Sequence, residues 1–176
     1  MTSVGCRVSG EARVSAATIV LSSWVVFLAA LACGAELDLR FAEKFQMPSS
    51  PEVVVVAEGD FEPRSIGSYA LRVYGGASKN SPTDDFVAGV IWSRKGIIEA
   101  VKFDDIDGDD RPEIVVITRS VGSGGYLSVD AFRYRGRLLE WVVSASDLDK
   151  RADPIRALRD KLMAERNSFA PPEIRQ

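Results

Sequence analysis

The sequence predicts a mainly β fold, an antiparallel β-sandwich or curled sheet with a C-terminal packing helix. Three observations support this prediction. Short apolar or alternating segments recur between clusters of glycine, proline and aspartate, as strands do between turns. No helical pattern separates these segments, so the connections between strands are not those of a parallel α/β fold. One segment with apolar residues three and four positions apart follows the last strand and predicts the helix.

The segments expected to form strands are rich in β-branched and aromatic residues. The first alternates Leu37, Leu39 and Phe41 with charged residues, and a linker with two prolines and two serines follows it at 46–51. The most apolar run, 114–118, is expected to be a central strand. The other expected strands cover 53–56, 68–74, 86–92, 97–103, 127–134 and 138–143.

The turns between these strands are predicted from glycine and polar residues. Arg94-Lys95-Gly96 is expected to turn the fourth strand back into the fifth, and Arg135-Gly136 predicts a tight hairpin. Residues 75–84 are polar and predict a longer loop.

The helix begins with a clear start signal. Asp153 is a good N-cap, and Pro154 lies at the first helical position, where its missing N–H has no cost. Ile155, Leu158 and Leu162 then recur at helical spacing, with Arg and Lys on the opposite face. This helix is expected to cover the sheet or to form part of a subunit contact.

The first 35 residues have the pattern of an export signal. Arg7 and Arg13 give a positive start, no residue from 16 to 34 is charged, and small residues follow at 32–35. We therefore predict a signal peptide at 1–35 and a mature domain at 36–176. Cleavage before Cys33 would leave a cysteine for lipid attachment, and an uncleaved run would be a membrane anchor.

The composition excludes several classes of function. The chain is 46 % apolar and 27 % charged, as globular chains are, and it contains no histidine. Catalytic sites of the Ser-His-Asp and Cys-His types and zinc sites with histidine ligands are therefore excluded. The net charge of -3 gives no basic excess for binding nucleic acid. Both cysteines lie within the predicted signal, which leaves a domain without disulfides.

The acidic loop 105–113 has spacing that can surround a Ca²⁺ ion with oxygens. It is not an EF-hand, because position 6 is Asp110 instead of glycine. The alternative is a solvated turn whose aspartates face water. A glycosidase pair would need a cleft that raises the pKa of one acid, and turn aspartates in water do not provide one, so we expect no catalysis here. The solvated turn is the favoured interpretation, and we therefore expect no bound metal or cofactor. The carboxylates at relative positions 1, 3, 5 and 9 are those of Asp105, Asp107, Asp109 and Glu113.

A glycine-rich loop, 120–126, follows the most apolar run. Gly124 and Gly125 allow the backbone to fold tightly and to approach another surface closely. Ser123 and Tyr126 place two hydroxyls and an aromatic face on the loop, and tyrosine is a frequent anchor at interfaces. The loop therefore predicts a binding surface, with an ordinary glycine-rich turn as the alternative.

Two segments resemble the periplasmic inhibitors of invertebrate-type (I-type) lysozyme. They are 57–69, which reads AEGDFEPRSIGSY, and 119–128, which reads RSVGSGGYLS. The resemblance covers roughly residues 53–134 in collinear order, and its most specific part is Ser123-Gly124-Gly125-Tyr126. A related motif, Ser-Gly-x-x-Tyr, marks inhibitors of chicken-type lysozyme and has two residues between its glycine and its tyrosine. Here only Gly125 separates Gly124 from Tyr126, and this spacing favours the I-type class.

The resemblance implies an exported, periplasmic β-rich protein that is not an enzyme and is often a homodimer. It implies I-type lysozyme as the partner and insertion of the glycine-rich loop into the enzyme's active-site cleft. In this reading Ser123 and Tyr126 contact the catalytic acids, and Gly124 and Gly125 keep the loop slim. A Ca²⁺-dependent binding module that uses the 105–113 loop is the alternative function.

Overall fold

The computed structural model describes residues 40–169 except 77 and 79, and these form eight strands and one helix. The predicted signal peptide, and with it Cys33, lies outside the described residues. The elements are β1 (Ala42–Gln46), β2 (Val53–Glu58), β3 (Ile66–Tyr74), β4 (Phe86–Lys95), β5 (Ile97–Asp104), β6 (Glu113–Arg119), β7 (Leu127–Arg135), β8 (Leu138–Leu148) and α1 (Pro154–Phe169).

The strands form two antiparallel sheets of four. The first sheet has the order β1-β2-β3-β4 and the second β5-β6-β7-β8, so every neighbour in a sheet is also a neighbour in sequence. Buried side chains of both sheets share one core cluster, in which Tyr69 and Leu71 of the first sheet lie with Phe132 of the second. The rings of Tyr69 and Phe132 meet edge to face at 6.3 Å. The predicted β-sandwich is confirmed.

The C-terminal helix covers the outer face of the second sheet. The carboxylate of Asp153 accepts hydrogen bonds from the backbone N–H groups of Ile155 and Arg156 at 3.0 and 3.3 Å, so the predicted N-cap is confirmed. Leu158 is fully buried, and Ile155 and Leu162 pack around it against the sheet. No helix in the described part of the chain is long and apolar enough to cross a membrane.

Strand β6 is covered on both faces. Ile114 and Val116 belong to the core between the sheets, whereas Val115 and Ile117 belong to the cluster under α1. This double coverage explains why the run 114–118 is apolar without alternation, and it confirms the prediction of a central strand.

The first predicted strand is displaced along the chain. Residues 37–39 are outside the described part, and Arg40 and Phe41 precede β1 instead of belonging to it. Strand β1 pairs with β2 from Ala42 opposite Ala57 to Gln46 opposite Val53, so Gln46 ends a strand instead of opening the linker. The reason is that β1 is mostly exposed, and its position is set by its pairing with β2 and not by its own alternation.

The predicted turn at 94–96 is wrong as a hairpin, whereas the other hairpin is confirmed. Strands β4 and β5 belong to different sheets, so the chain crosses from the first sheet to the second at Gly96. Gly96 has φ +108°, and a Cβ there would overlap the carbonyl oxygen of Arg119. In contrast, β7 pairs with β8 through a turn in which Gly136 and Arg137 both have positive φ.

Candidate functional site

The glycine-rich loop joins β6 to β7 and is closed by two backbone hydrogen bonds, one nested inside the other. At its base the backbone N–H of Ser120 donates to the carbonyl oxygen of Tyr126 at 2.9 Å. Above this bond, the N–H of Gly125 donates to the carbonyl of Gly122 at 3.2 Å, which closes a turn with Ser123 at its exposed end. The structure thus brings the four predicted site residues together on one protruding loop.

Both predicted glycines have a structural reason to be glycine. Gly125 has φ +56°, in the left-handed region that side chains other than glycine rarely adopt. At Gly124 a Cβ would overlap the ring of Tyr126, so the absence of a side chain lets this ring lie against the backbone. The loop is narrow because of these two residues, and the aromatic ring forms one of its sides.

The hydroxyl groups of the loop are free to bind a partner. The side chain of Ser123 is exposed, and Tyr126 retains 53 % of its accessible surface. Within residues 40–169, as far as the structure describes them, neither hydroxyl has a hydrogen-bond partner. Two hydroxyl donors and part of an aromatic ring are therefore accessible from solvent.

Arg119, which the sequence analysis did not assign a role, braces the loop from the end of β6. Its Nη1 donates to the carbonyl oxygen of Gly125 at 3.0 Å. Its Nε and Nη2 bind the carboxylate of Glu99 at 2.6 and 2.7 Å, and this hydrogen bonding raises the pKa of Arg119. These bonds tie the loop to the ends of β5 and β6, and a loop anchored in this way loses less entropy on association than a free one.

The segment 57–69 runs from the end of β2 into β3 within the first sheet, and its side chains contact the second sheet. Glu58, at the end of β2, is 5 % exposed, and its carboxylate accepts a hydrogen bond from the backbone N–H of Ile98 in the second sheet at 2.6 Å. The guanidinium of Arg64 donates to the same carboxylate at 3.2 Å. The resemblance in this segment thus coincides with a buried polar contact that fixes the crossing from sheet to sheet.

The acidic loop lies at the opposite end of β6 from the glycine-rich loop. Carboxylate oxygens of Asp105, Asp107 and Asp109 lie within 4.8 Å of one another. Asp105 accepts from the backbone N–H groups of residues 108–110, at 2.7 Å from Gly108. Burial by itself would raise the pKa of Asp105, but these hydrogen bonds and the charge of Arg159 together lower it. Asp105 therefore acts as the residue that shapes the turn.

Arginine side chains balance the remaining charges of the acidic loop. Arg133 pairs with Asp107, and Arg135 pairs with Asp109 at 2.6 Å. Beneath them Glu113 is fully buried, and burial raises its pKa. Its carboxylate accepts from the backbone N–H of residue 106 at 3.0 Å and from both arginines. This arrangement favours the structural interpretation of the loop over the Ca²⁺ site.

Comparisons with known proteins agree on one family. The family described as "Periplasmic lysozyme inhibitor of I-type lysozyme" matches residues 39–162. A crystal structure of such an inhibitor from Aeromonas hydrophila is 40 % identical, with a TM-score of 0.63 over 67 % of this chain and 98 % of that chain. The Aeromonas hydrophila inhibitor in complex with Meretrix lusoria lysozyme is also similar, at 40 % identity and a TM-score of 0.63 over 68 % and 95 % of the chains. A search of curated proteins finds no match.

Proposed function

This chain belongs to the family of periplasmic inhibitors of I-type lysozyme, and we propose that it blocks such an enzyme by inserting the loop 120–126 into the active-site cleft. The family consists of inhibitor proteins and not of enzymes. A similar protein, 40 % identical, has been crystallised in complex with a lysozyme from Meretrix lusoria. The proposal extends that partner class to this chain and assigns the contact to named residues.

The observation that carries the proposal is the pair of unpartnered hydroxyls on a narrow, braced loop. Lysozymes cleave glycosidic bonds with two carboxyl groups that flank the bond. Ser123 and Tyr126 offer hydroxyl donors to such acids, and Gly124 and Gly125 keep the loop thin enough to enter between the walls of a cleft. A hydrogen bond to a charged acceptor contributes about 1.5–3 kcal/mol, more than one between neutral groups.

The proposed function is tested by measuring inhibition of three lysozyme classes with the purified domain 36–176. We expect strong inhibition of an I-type lysozyme and weak or no inhibition of chicken-type and goose-type enzymes. Inhibition should be competitive with soluble oligosaccharide substrate, because the loop would occupy the cleft. Binding that leaves the hydrolysis of a short oligosaccharide unchanged would argue against insertion.

We propose that residues 1–35 act as the export signal that brings the domain to the periplasm. The support is the uncharged run that ends in small residues, together with the family's periplasmic description. Intact-mass analysis of the protein from a periplasmic extract should show a chain that begins near residue 36. A mass that begins at Cys33 with added lipid would support the lipoprotein form, and a retained Met1 would contradict cleavage.

We also propose that the domain is a homodimer. The helix covers the outer face of the second sheet, whereas Ile91 and Phe86 of the first sheet remain 76 % and 57 % exposed. Burying these side chains against a second copy would remove apolar surface from water. Sedimentation velocity at micromolar concentration should give the mass of a dimer, and Ile91→Lys should shift it toward that of a monomer.

Removing divalent cations is expected to leave both inhibition and melting temperature nearly unchanged. Asp107 and Asp109 already pair with Arg133 and Arg135, so a metal ion would have to displace these cations. The measurement compares lysozyme inhibition and thermal unfolding with excess EDTA and with added Ca²⁺. A large chelator-dependent loss of either property would instead support the Ca²⁺-dependent binding module.

A further inference from the structure

We propose that Phe61 is a second anchor that contacts the same lysozyme beside its active-site cleft. This inference rests on the proposed function and deepens it, because it extends the interface beyond the glycine-rich loop. Phe61 is the third residue of the loop 59–65, which connects β2 to β3. The lysozyme surface that accepts it would be an apolar depression at the rim of the cleft, since a phenyl ring offers no hydrogen bond.

The conformation of Phe61 is unusual for its residue type. Its side chain is fully exposed, and its backbone has φ +63°. A bulky residue in this left-handed region is strained relative to a relaxed backbone, and glycine would avoid the strain. The exposed ring gains nothing from packing within the described domain. An aromatic side chain kept at a strained and exposed position indicates a contact outside the domain.

The loop that presents Phe61 is held rigidly from below. Arg94, only 2 % exposed, donates to the carbonyl oxygens of Pro63 and Arg64 at 3.3 and 3.0 Å. The carboxylate of Glu62 accepts from the backbone N–H and the hydroxyl of Ser68 at 2.5 and 2.7 Å, and these bonds lower the pKa of Glu62. On the other side of Phe61, the backbone N–H of Gly59 donates to the carbonyl of Ser68 at 3.0 Å, so the loop is fixed both before and after the exposed ring.

The two loops are neighbours at one end of the sandwich. The backbone N–H of Gly96 donates to the carbonyl of Ser65 at 2.8 Å, at the end of the 59–65 loop. The opposite side of Gly96 packs on the carbonyl of Arg119, at the base of the glycine-rich loop. Since both loops touch this one residue, Phe61 and Tyr126 project from the same end of the domain. An enzyme that receives the glycine-rich loop therefore lies within reach of Phe61.

Rigid aromatic anchors are the residues that dominate binding energy at protein interfaces. Aromatic side chains are enriched in the core of interfaces, and a preorganised loop loses little entropy when it binds. Phe61 supplies apolar area, while Ser123 and Tyr126 supply hydrogen-bond donors. The two loops would thus have different roles in the complex. The glycine-rich loop would block the catalytic acids, and Phe61 would slow dissociation.

The test replaces Phe61 by glycine, which tolerates the positive φ of this position. We expect the melting temperature to stay the same or to rise, and the affinity for an I-type lysozyme to fall about tenfold or more, chiefly through faster dissociation. Surface plasmon resonance with immobilised lysozyme measures both rates. The matched control is Met163→Ala on α1, an exposed apolar side chain beside the acidic loop at the opposite end of β6, which should bind as wild type does.

The outcomes separate this inference from the proposed function. If wild type inhibits the lysozyme and Phe61→Gly binds with unchanged rates, the second anchor is wrong and the proposed function stands. If wild type neither binds nor inhibits any I-type lysozyme, the proposed function itself fails. Weaker binding by Phe61→Gly, with recovery in Phe61→Tyr, supports an aromatic contact at this position.

Discussion

Replacement of Tyr126 by alanine is expected to weaken inhibition of an I-type lysozyme by about thirtyfold or more and to leave the fold intact. Removing an interface hot spot costs about 2 kcal/mol or more, and each 1.4 kcal/mol is a factor of ten in affinity. Tyr126 is 53 % exposed and belongs to neither core cluster, so its removal opens no cavity. Stability should change by no more than about 0.5 kcal/mol, as for most surface substitutions.

Ser123→Ala should have a milder effect, because it removes one hydroxyl and no aromatic area. The two side chains would share one cleft, so the effect of the double variant need not equal the sum of the single effects. Inhibition is measured as the concentration of variant that halves hydrolysis, with circular dichroism and thermal unfolding to verify the fold.

The control for these variants is Asp109→Ala in the acidic loop at the opposite end of β6. Asp109 is exposed and pairs with Arg135 at 2.6 Å, so its loss removes a charge far from the glycine-rich loop. It should inhibit almost as wild type does. A folded Ser123/Tyr126 double variant that inhibits as strongly as wild type would overturn the insertion mechanism.

Features set by local sequence could be predicted, as the C-terminal end of the chain illustrates. The cap at Asp153 depends only on the residues that follow it, and the observed hydrogen bonds are those that the sequence predicts. The run 114–118 likewise identifies itself as central because both of its faces are apolar. The Ser-Gly-Gly-Tyr loop stands out because its glycines and hydroxyls adjoin one another in sequence.

Features set by distant contacts could not be predicted. Arg94-Lys95-Gly96 has the composition of a turn, and nothing in it indicates that the next strand pairs in another sheet. Arginine is mostly exposed in proteins, so the burial of Arg94 follows only from carbonyl groups that the fold brings to it. The exposure of Phe61 could not be predicted either, because an isolated aromatic residue in a sequence is expected to lie in the core.

Replacement of Arg94 by methionine is therefore expected to lower the free energy of unfolding by about 3 kcal/mol or more, since several carbonyl oxygens lose a donor at once and each one left unsatisfied costs about 1–3 kcal/mol. Its guanidinium donates to the carbonyl oxygens of residues 63, 64 and 68 at 3.0–3.3 Å and to that of Gly96, next to the point where the chain changes sheets. Methionine would fill most of the volume but remove this donor from the carbonyls of residues 63, 64 and 96, whereas that of Ser68 still accepts from the N–H of Gly59 at 3.0 Å.

Urea unfolding measures the loss, and an unchanged slope against denaturant would show that the stability itself has changed. Arg156→Met, on an exposed position of α1, is the matched control and should stay within about 0.5 kcal/mol of wild type. Arg94→Lys keeps the charge but lacks the planar guanidinium that reaches several carbonyls at once. Its free energy of unfolding should therefore lie between those of Arg94→Met and wild type. Because Arg94 holds both the 59–65 loop and the crossing at Gly96, the lysine variant should also inhibit less than wild type while still folded. An Arg94→Met domain that unfolds within 1 kcal/mol of wild type, roughly the value of one neutral hydrogen bond, would show that the carbonyls find other donors and that Arg94 does not fix these loops.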